Sequence, residues 1–264
     1  MPLPTILAPF LALIRSPIST APITSAALSS IRSFFCCGLI SPSSPDLRPA
    51  LSELSNTISH CKFDAGGNNA DEGVILRIMS VVKECICSPV GAILGDIEVC
   101  EMLETVLTTC CQVRLGEAVR RAAEYHMHDL VRVMFRRLDD LQPVEEGSFG
   151  QEEDNPELRM NVSPTRESTV QTIDQVLDAS SPDTEKTPVP VVPNINMTPY
   201  GLPSITELLK VLLSLLDPTS QQHLSRSHTD SLLIPSLSTL NVTFAAAGPT
   251  IAKFAPLRQL VMDN

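Results

Sequence analysis

Tryptophan is absent from this 264-residue sequence, and aromatic residues together make up only 4% of it. With little alternation of β-branched residues, that scarcity argues against a β-sandwich or barrel, whose strands draw on both residue classes. Net positive charge is lacking too: 19 basic against 30 acidic side chains leave a formal charge of −11. Neutralising phosphates takes Lys and Arg, so no nucleic-acid partner is expected. No uninterrupted run of about 18 apolar residues occurs, so no membrane span is expected. Neither a P-loop nor a Gly-x-Gly-x-x-Gly turn is present, and Gly66-Gly67 reads as a loop.

What is present is a core. Hydrophobic residues reach 43%, which excludes wholesale disorder, and the length allows one or two domains. The charge is unevenly spread. Residues 1–138 carry 12 basic and 13 acidic side chains, residues 139–190 carry 3 and 13, and residues 191–264 carry 4 of each. Two nearly neutral apolar blocks therefore flank one acidic segment. All eight cysteines lie between Cys36 and Cys111. The chain is long and shows no secretory leader, so these read as reduced thiols of a cytosolic protein. The Asn-x-Ser/Thr matches at Asn161, Asn196 and Asn241 are then coincidental.

Along the first block, Pro4–Arg15, Pro22–Ile40 and Leu47–His60 read as helices ended by Ser-Pro pairs or polar breaks. Asp71 and Glu72 open a fourth, with Val74, Ile78, Val82 and Cys85 in one apolar row and Ile75, Met79 and Ile86 beside it. Ile97–Val113 turns Val99, Leu103, Val106, Leu107 and Cys110 one way. Leu115–Leu138 is the longest, with Leu115, Val119, Ala122, His126, Leu130, Val133 and Leu138 as its expected core stripe. Residues 139–198 form an acidic linker rich in Ser, Thr and Pro, too polar to offset its ordering entropy. It offers Ser163, Ser181, Thr187 and Thr198, each followed by Pro, as phosphorylation candidates. Order returns at Tyr200. Ser204 with Glu207 has capping-box spacing before the run Ile205 to Leu216. Ser227–Ala247 reads as helical with an interruption at Pro235, and Ile251–Asn264 as a last apolar segment. The fold expected is all-α: a helical stack of the solenoid type in two blocks, 1–138 and 199–264.

Catalytic chemistry finds little support. Cys85-x-Cys87 and His126-x-His128 invite a zinc reading, but residues two apart on a helix face different ways, and ligand pairs want a spacing of three or four. No cysteine sits in a nucleophile signature. Arg120-Arg121 and Arg136-Arg137 suit acidic lipid heads or an acidic partner, but such residues are more often a solvated face paired with Glu117 and Glu124. No cofactor is expected.

Three stretches carry a resemblance. Pro22-Ile-Thr-Ser-Ala-Ala-Leu-Ser-Ser-Ile31 runs on to Gly38-Leu-Ile40. CICSPVG (85–91) and Val99-Cys100-Glu101 lead to VRLGEAVRRAAEYHMHDLVRVMFRRL (113–138). After the linker come Pro199-Tyr-Gly-Leu-Pro203 and ITELLKVLLSLLDP (205–218). Together they resemble the N-terminal regulatory half of the large Golgi Arf guanine-nucleotide exchange factors of the brefeldin-A-resistance-factor type (the Gea/GNOM/GBF group), in a fungal-like version. The resemblance covers about 1–138 and 198–264. It implies that 1–138 is most of a dimerisation and cyclophilin-binding domain and that 199–264 starts the domain upstream of the exchange domain, both armadillo-like. It further implies self-association as a homodimer, contact with downstream domains, Arf and Rab small GTPases as partners through a parent protein, and a cytoplasmic location peripherally on Golgi membranes. Glu72 and the Pro22–Ile40 face, with Arg32 and Ser33, are the candidate self-contact residues, against the commoner reading of intramolecular helix packing and helix N-terminal charge. The family's Asn-Tyr/Phe-Asp-Cys box and its exchange domain are not found in the sequence, and Gly116 and Pro235 interrupt helices expected to be continuous. The chain therefore reads as a fragment or truncated gene model without exchange activity of its own. The alternative is an unrelated cytosolic helical adaptor that binds a peptide or protein.

Overall fold

The computed structural model describes residues 1–61, 69–142, 156–162, 198–217 and 226–263. Among them are nine α-helices and no strand. They are α1 (Leu3–Arg15), α2 (Ala21–Cys36), α3 (Leu47–Ser59), α4 (Asn69–Cys87), α5 (Asp96–Cys111), α6 (Glu117–Arg136), α7 (Leu202–Ser214), α8 (Arg226–Ala247) and α9 (Ala255–Asp263).

Local chemistry sets most of the boundaries. Proline occupies the first turn of α1, α2 and α7, where a missing N–H costs nothing. The second helix stops at Cys36, short of the expected Ile40, because Gly38 takes a left-handed φ of 76° and donates its N–H to the Phe35 carbonyl. Gly116 does not interrupt a helix; it is the N-cap of α6, where its extended backbone is in place. Nor does Pro235 break α8, which runs unbroken from Arg226 to Ala247. Tertiary packing overrides propensity here, since Leu232, Ser236, Thr239, Leu240 and Thr243 are all buried around the proline.

Each helix packs on the next but one. In one layer α1 touches α3, α3 touches α5, α5 touches α7 and α7 touches α9; in the other α2 touches α4, α4 touches α6 and α6 touches α8. Side-chain links show that neighbours within a layer run parallel. Arg77 Nε donates to Ser29 Oγ and Arg32 reaches Glu84, joining α2 to α4 across 48 and 52 positions. Gly116 N to Glu72 and Lys83 to Asp129 join α4 to α6 across 44 and 46. His128 to Ser238 and Thr250 to Asp139 join the end of α6 to α8 and the turn after it across 110 and 111. The separation leaps because the acidic segment is inserted between one pair of helices and the next.

The expected rows on α4 and α5 are buried. On α5 the burial extends almost all round, to Cys100, Met102, Thr108 and Cys111, as suits a helix touched on every side. The expected α6 stripe is shifted by one position at three places. Ala123, Met127 and Met134 are buried, while Ala122, His126 and Val133 are half-exposed.

The two expected blocks are in contact, α5 against α7 and α6 against α8. Parts of the segment read as linker also lie on the stack. A 3₁₀ turn at Arg137–Asp139 carries the end of α6 into that segment by one residue, and a second at Pro156–Leu158 packs on α5 and α7, with Met160 buried behind it.

Candidate interaction surfaces

Arg32 and Ser33 sit exposed on α2. They line a shallow groove of about 430 Å³ with Leu28, Ser29, Cys36, Arg77 and Ser80, where α2 meets α4. The serines turn their hydroxyls back onto their own helix, Ser29 to the Ser25 carbonyl and Ser33 to the Ser29 carbonyl. What the groove presents is therefore small residues and two arginine heads. Arg32 holds Glu84 only loosely, at 3.5 Å. Glu72 lies elsewhere. Its Oε1 accepts the Gly116 N–H at 2.9 Å, so the carboxylate caps α6 from the start of α4. The sequence-selected contact residues thus do not form one patch.

The phosphorylation candidates Ser163, Ser181 and Thr187 lie outside the described residues. Thr198 is exposed. It borders a groove of about 790 Å³, which α3 and α5 wall with Arg48, Ser52, Glu53, Asn56, Asp96 and Glu101. Arg48 spans the groove floor: Nη2 donates to both Glu98 oxygens, at 2.9 and 3.1 Å, and Nη1 to the Ile93 carbonyl. Arg15 closes one end by pairing with Glu53 at 2.9 Å. Burial holds the Glu101 carboxyl above the usual carboxylate range, His60 opposing it.

Tyr200, Asp96 and Arg137 build the join between α1–α6 and α7–α9, and sequence reasoning missed their partnership. Tyr200 is buried, donates its N–H to the Leu94 carbonyl at 2.7 Å, and lies with its ring 4.2 Å under the Arg137 guanidinium. Asp96, in the first turn of α5, accepts the N–H groups of Gly201 at 2.9 Å and Ser204 at 3.1 Å. One carboxylate thereby caps a neighbouring helix. The expected Ser204–Glu207 capping box is absent: Ser204 is the third helical residue, one turn too late to be the N-cap. Its hydroxyl goes to the Gly201 carbonyl, and Glu207 accepts the Met160 N–H.

Five of the cysteine thiols are disfavoured as nucleophiles by burial. Burial raises Cys85, Cys100 and Cys110 far above the ordinary thiol, Cys111 to about 12 and Cys87 to about 11. Among the described residues no three His, Cys, Asp or Glu side chains gather as metal ligands would. His126 Nδ1 meets the Ala122 carbonyl, whereas His128 faces α8.

The outer face of α8 is apolar: Ile234 is 65% and Leu237 56% exposed, with Phe244 along the same stripe and Met262 on α9. By length and composition Thr229–Lys253 is apolar enough to span a membrane, and a third of its 18-residue apolar window is buried in the fold. The sequence expectation of no span rested on unbroken apolar runs, which Ser, Thr and Asn interrupt here without making the helix polar.

No protein-family profile matches the chain. It is 30% identical to an uncharacterised protein of Schizosaccharomyces pombe across 98% of its own length and 16% of the relative's. The ARF guanine-nucleotide exchange factor GNOM of Arabidopsis thaliana is 26% identical over 98% of this chain and 20% of GNOM. The ARF guanine-nucleotide exchange factor 2 of Saccharomyces cerevisiae is 31% identical over 140 residues, 53% of this chain and 10% of the relative. The chain is thus homologous along nearly its whole length to ARF exchange factors and spans a fifth or less of these relatives.

Proposed function

We propose that this homologue of the ARF exchange factors is a non-catalytic regulatory and interaction module of a longer exchange factor, one acting in ER–Golgi and intra-Golgi vesicle transport. The observation that carries the reading is homology over 98% of the chain to an exchange factor of which it spans only 20%. Its roles are self-association, contact with downstream domains and recruitment to Golgi membranes from the cytoplasm. Arf, the GTPase named for the relatives, is engaged through the longer protein. A helical stack supports this role because packed helix pairs leave surface grooves such as those at α2–α4 and α3–α5. The α2–α4 groove with Arg32 and Ser33 is the self-contact face. Glu72 serves it indirectly, by fixing α4 against α6.

Light scattering coupled to size exclusion tests the reading on the full 264-residue chain. A dimer is expected that persists on dilution and is lost in Arg32→Glu/Ser33→Glu while the helical circular-dichroism signal is kept. A folded monomer in the unaltered chain would remove self-association and favour the plain adaptor. An exchange assay with Arf and this chain alone is expected to show only the uncatalysed rate, and acceleration above it would refute the non-catalytic assignment.

A further inference from the structure

The strap Thr198–Ser204 joins the acidic segment to α7, and it offers an exposed Thr-Pro pair beside a buried anchor. We propose that Thr198 is a phosphorylation site for a proline-directed protein kinase that is available only when the Tyr200 strap has left the stack, so that modification and docking exclude each other. The inference is independent of the exchange-factor reading.

Phosphoryl transfer is a matter of positioning: the acceptor hydroxyl must come into line with the γ-phosphate of ATP and within reach of the kinase's catalytic carboxylate. The residues flanking the acceptor have to enter the kinase cleft with it. Here the flank is held. Two positions beyond Thr198, Tyr200 is buried beneath Arg137 and its N–H is bonded to Leu94, and the next N–H, of Gly201, is bonded to Asp96. Thr198 and Pro199 are exposed, but the backbone that follows them is held at Tyr200 and Gly201. In the step itself Thr198 Oγ1 forms an O–P bond as the β–γ bridging P–O bond of ATP breaks, its proton passes to the kinase base, and ADP leaves.

Once made, the phosphate opposes closure. It brings about −1.5 to −2 charges. The groove that Thr198 borders holds Glu53, Asp96, Glu98 and Glu101 against two arginines, and Arg15 and Arg48 are already bonded to Glu53 and Glu98. Asp96, the very carboxylate that caps α7, shares this groove. A dianion there meets like charge, and among the described residues of the groove lining both cations are already engaged.

The experiment is a time course with ATP and a proline-directed kinase on the full chain, read site by site by mass spectrometry, with Ser163, Ser181 and Thr187 as internal standards. Tyr200→Ala and Asp96→Ala are each expected to raise the Thr198 rate about tenfold, the factor expected if the open form is about 10% populated, and to leave the standards unchanged. Asp96→Ala removes the cap and one groove charge but leaves the Tyr200 anchor, and keeps the test alive if Tyr200→Ala fails to fold. In the reverse direction, the Thr198-phosphorylated chain is expected to show faster amide exchange at 200–204 than the unmodified chain. Thr198 rates equal in the unaltered chain and both variants would overturn the proposal. So would a Thr198 that is never modified, or an unchanged exchange rate at 200–204 after phosphorylation.

Discussion

At the residue scale, Gly91 marks a close approach that no side chain fits. A Cβ added there would lie 2.2 Å from the Ile86 carbonyl oxygen, where the 3₁₀ turn Pro89–Ile93 folds back on the end of α4. Backbone cannot yield as a side-chain tip does. Gly91→Ala is therefore expected to destabilise the fold by about 1–3 kcal/mol, read as a lower denaturation midpoint at unchanged m. His128 gives a pH dependence. Burial between α6 and α8 lowers its pKa; Glu124 opposes the shift, Arg132 adds to it and Asp129 opposes it, while Ser238 faces the ring from α8. The unfolded chain takes up this proton near pH 6.5, before the folded chain does. The contribution of His128 to stability is accordingly full above about pH 6.5 and is lost as the pH falls toward its folded pKa. His128→Gln should flatten the loss of stability between pH 7 and 5 relative to the unaltered chain. An identical pH profile would show that other groups carry it.

At the element scale, the helices were legible because their apolar periods are long and their stops are proline and glycine. The α4 row of Val74, Ile78, Val82 and Cys85 is buried as the period required. The α6 register was less legible, because Ala122-Ala123 and His126-Met127 each offer two neighbours of similar fitness for one inward position. Pro235 misled for a different reason: propensity is local, whereas the burial around it comes from residues more than a hundred positions away. The helix tolerates the missing N–H at a cost. Pro235→Ala is expected to stabilise the chain by about 1–3 kcal/mol, as restored hydrogen bonding in a helix interior allows. A lower midpoint in thermal unfolding would mean that the proline ring is itself needed in the packing.

At the scale of the whole molecule, what the sequence could not disclose is the pairing of Tyr200 with Leu94 and Arg137, and of Asp96 with the start of α7. The motif Pro199-Tyr-Gly-Leu-Pro203 was visible as a return to order, but its partners lie about a hundred residues earlier and no short-range signal names them. The same holds for the apolar outer face of α8, because the helix turns Ser236, Thr239 and Thr243 inward and leaves Ile234 and Leu237 outside. That inversion of the usual pattern predicts concentration-dependent association. Leu237→Lys/Phe244→Lys should reduce light scattering at high concentration without lowering Tm, since neither side chain is buried. Unchanged scattering would locate the association on another surface.

The starts of α1, α3, α5 and α7 all fall along one margin of the stack, and polar links tie each to its neighbour. Leu3 donates to the Pro45 carbonyl, Arg48 binds Glu98 and Ile93, and Asp96 holds Gly201 and Ser204. Hydrogen bonds are short-ranged and directional, whereas apolar contact slides with little loss. Mechanically, the molecule is then a ribbon sewn densely along one hem and sparsely along the other, where Glu72 holds Gly116 and Arg15 holds Glu53. In an optical-trap pull on the two termini, the sparsely sewn margin should part first, with the dense hem parting last and abruptly.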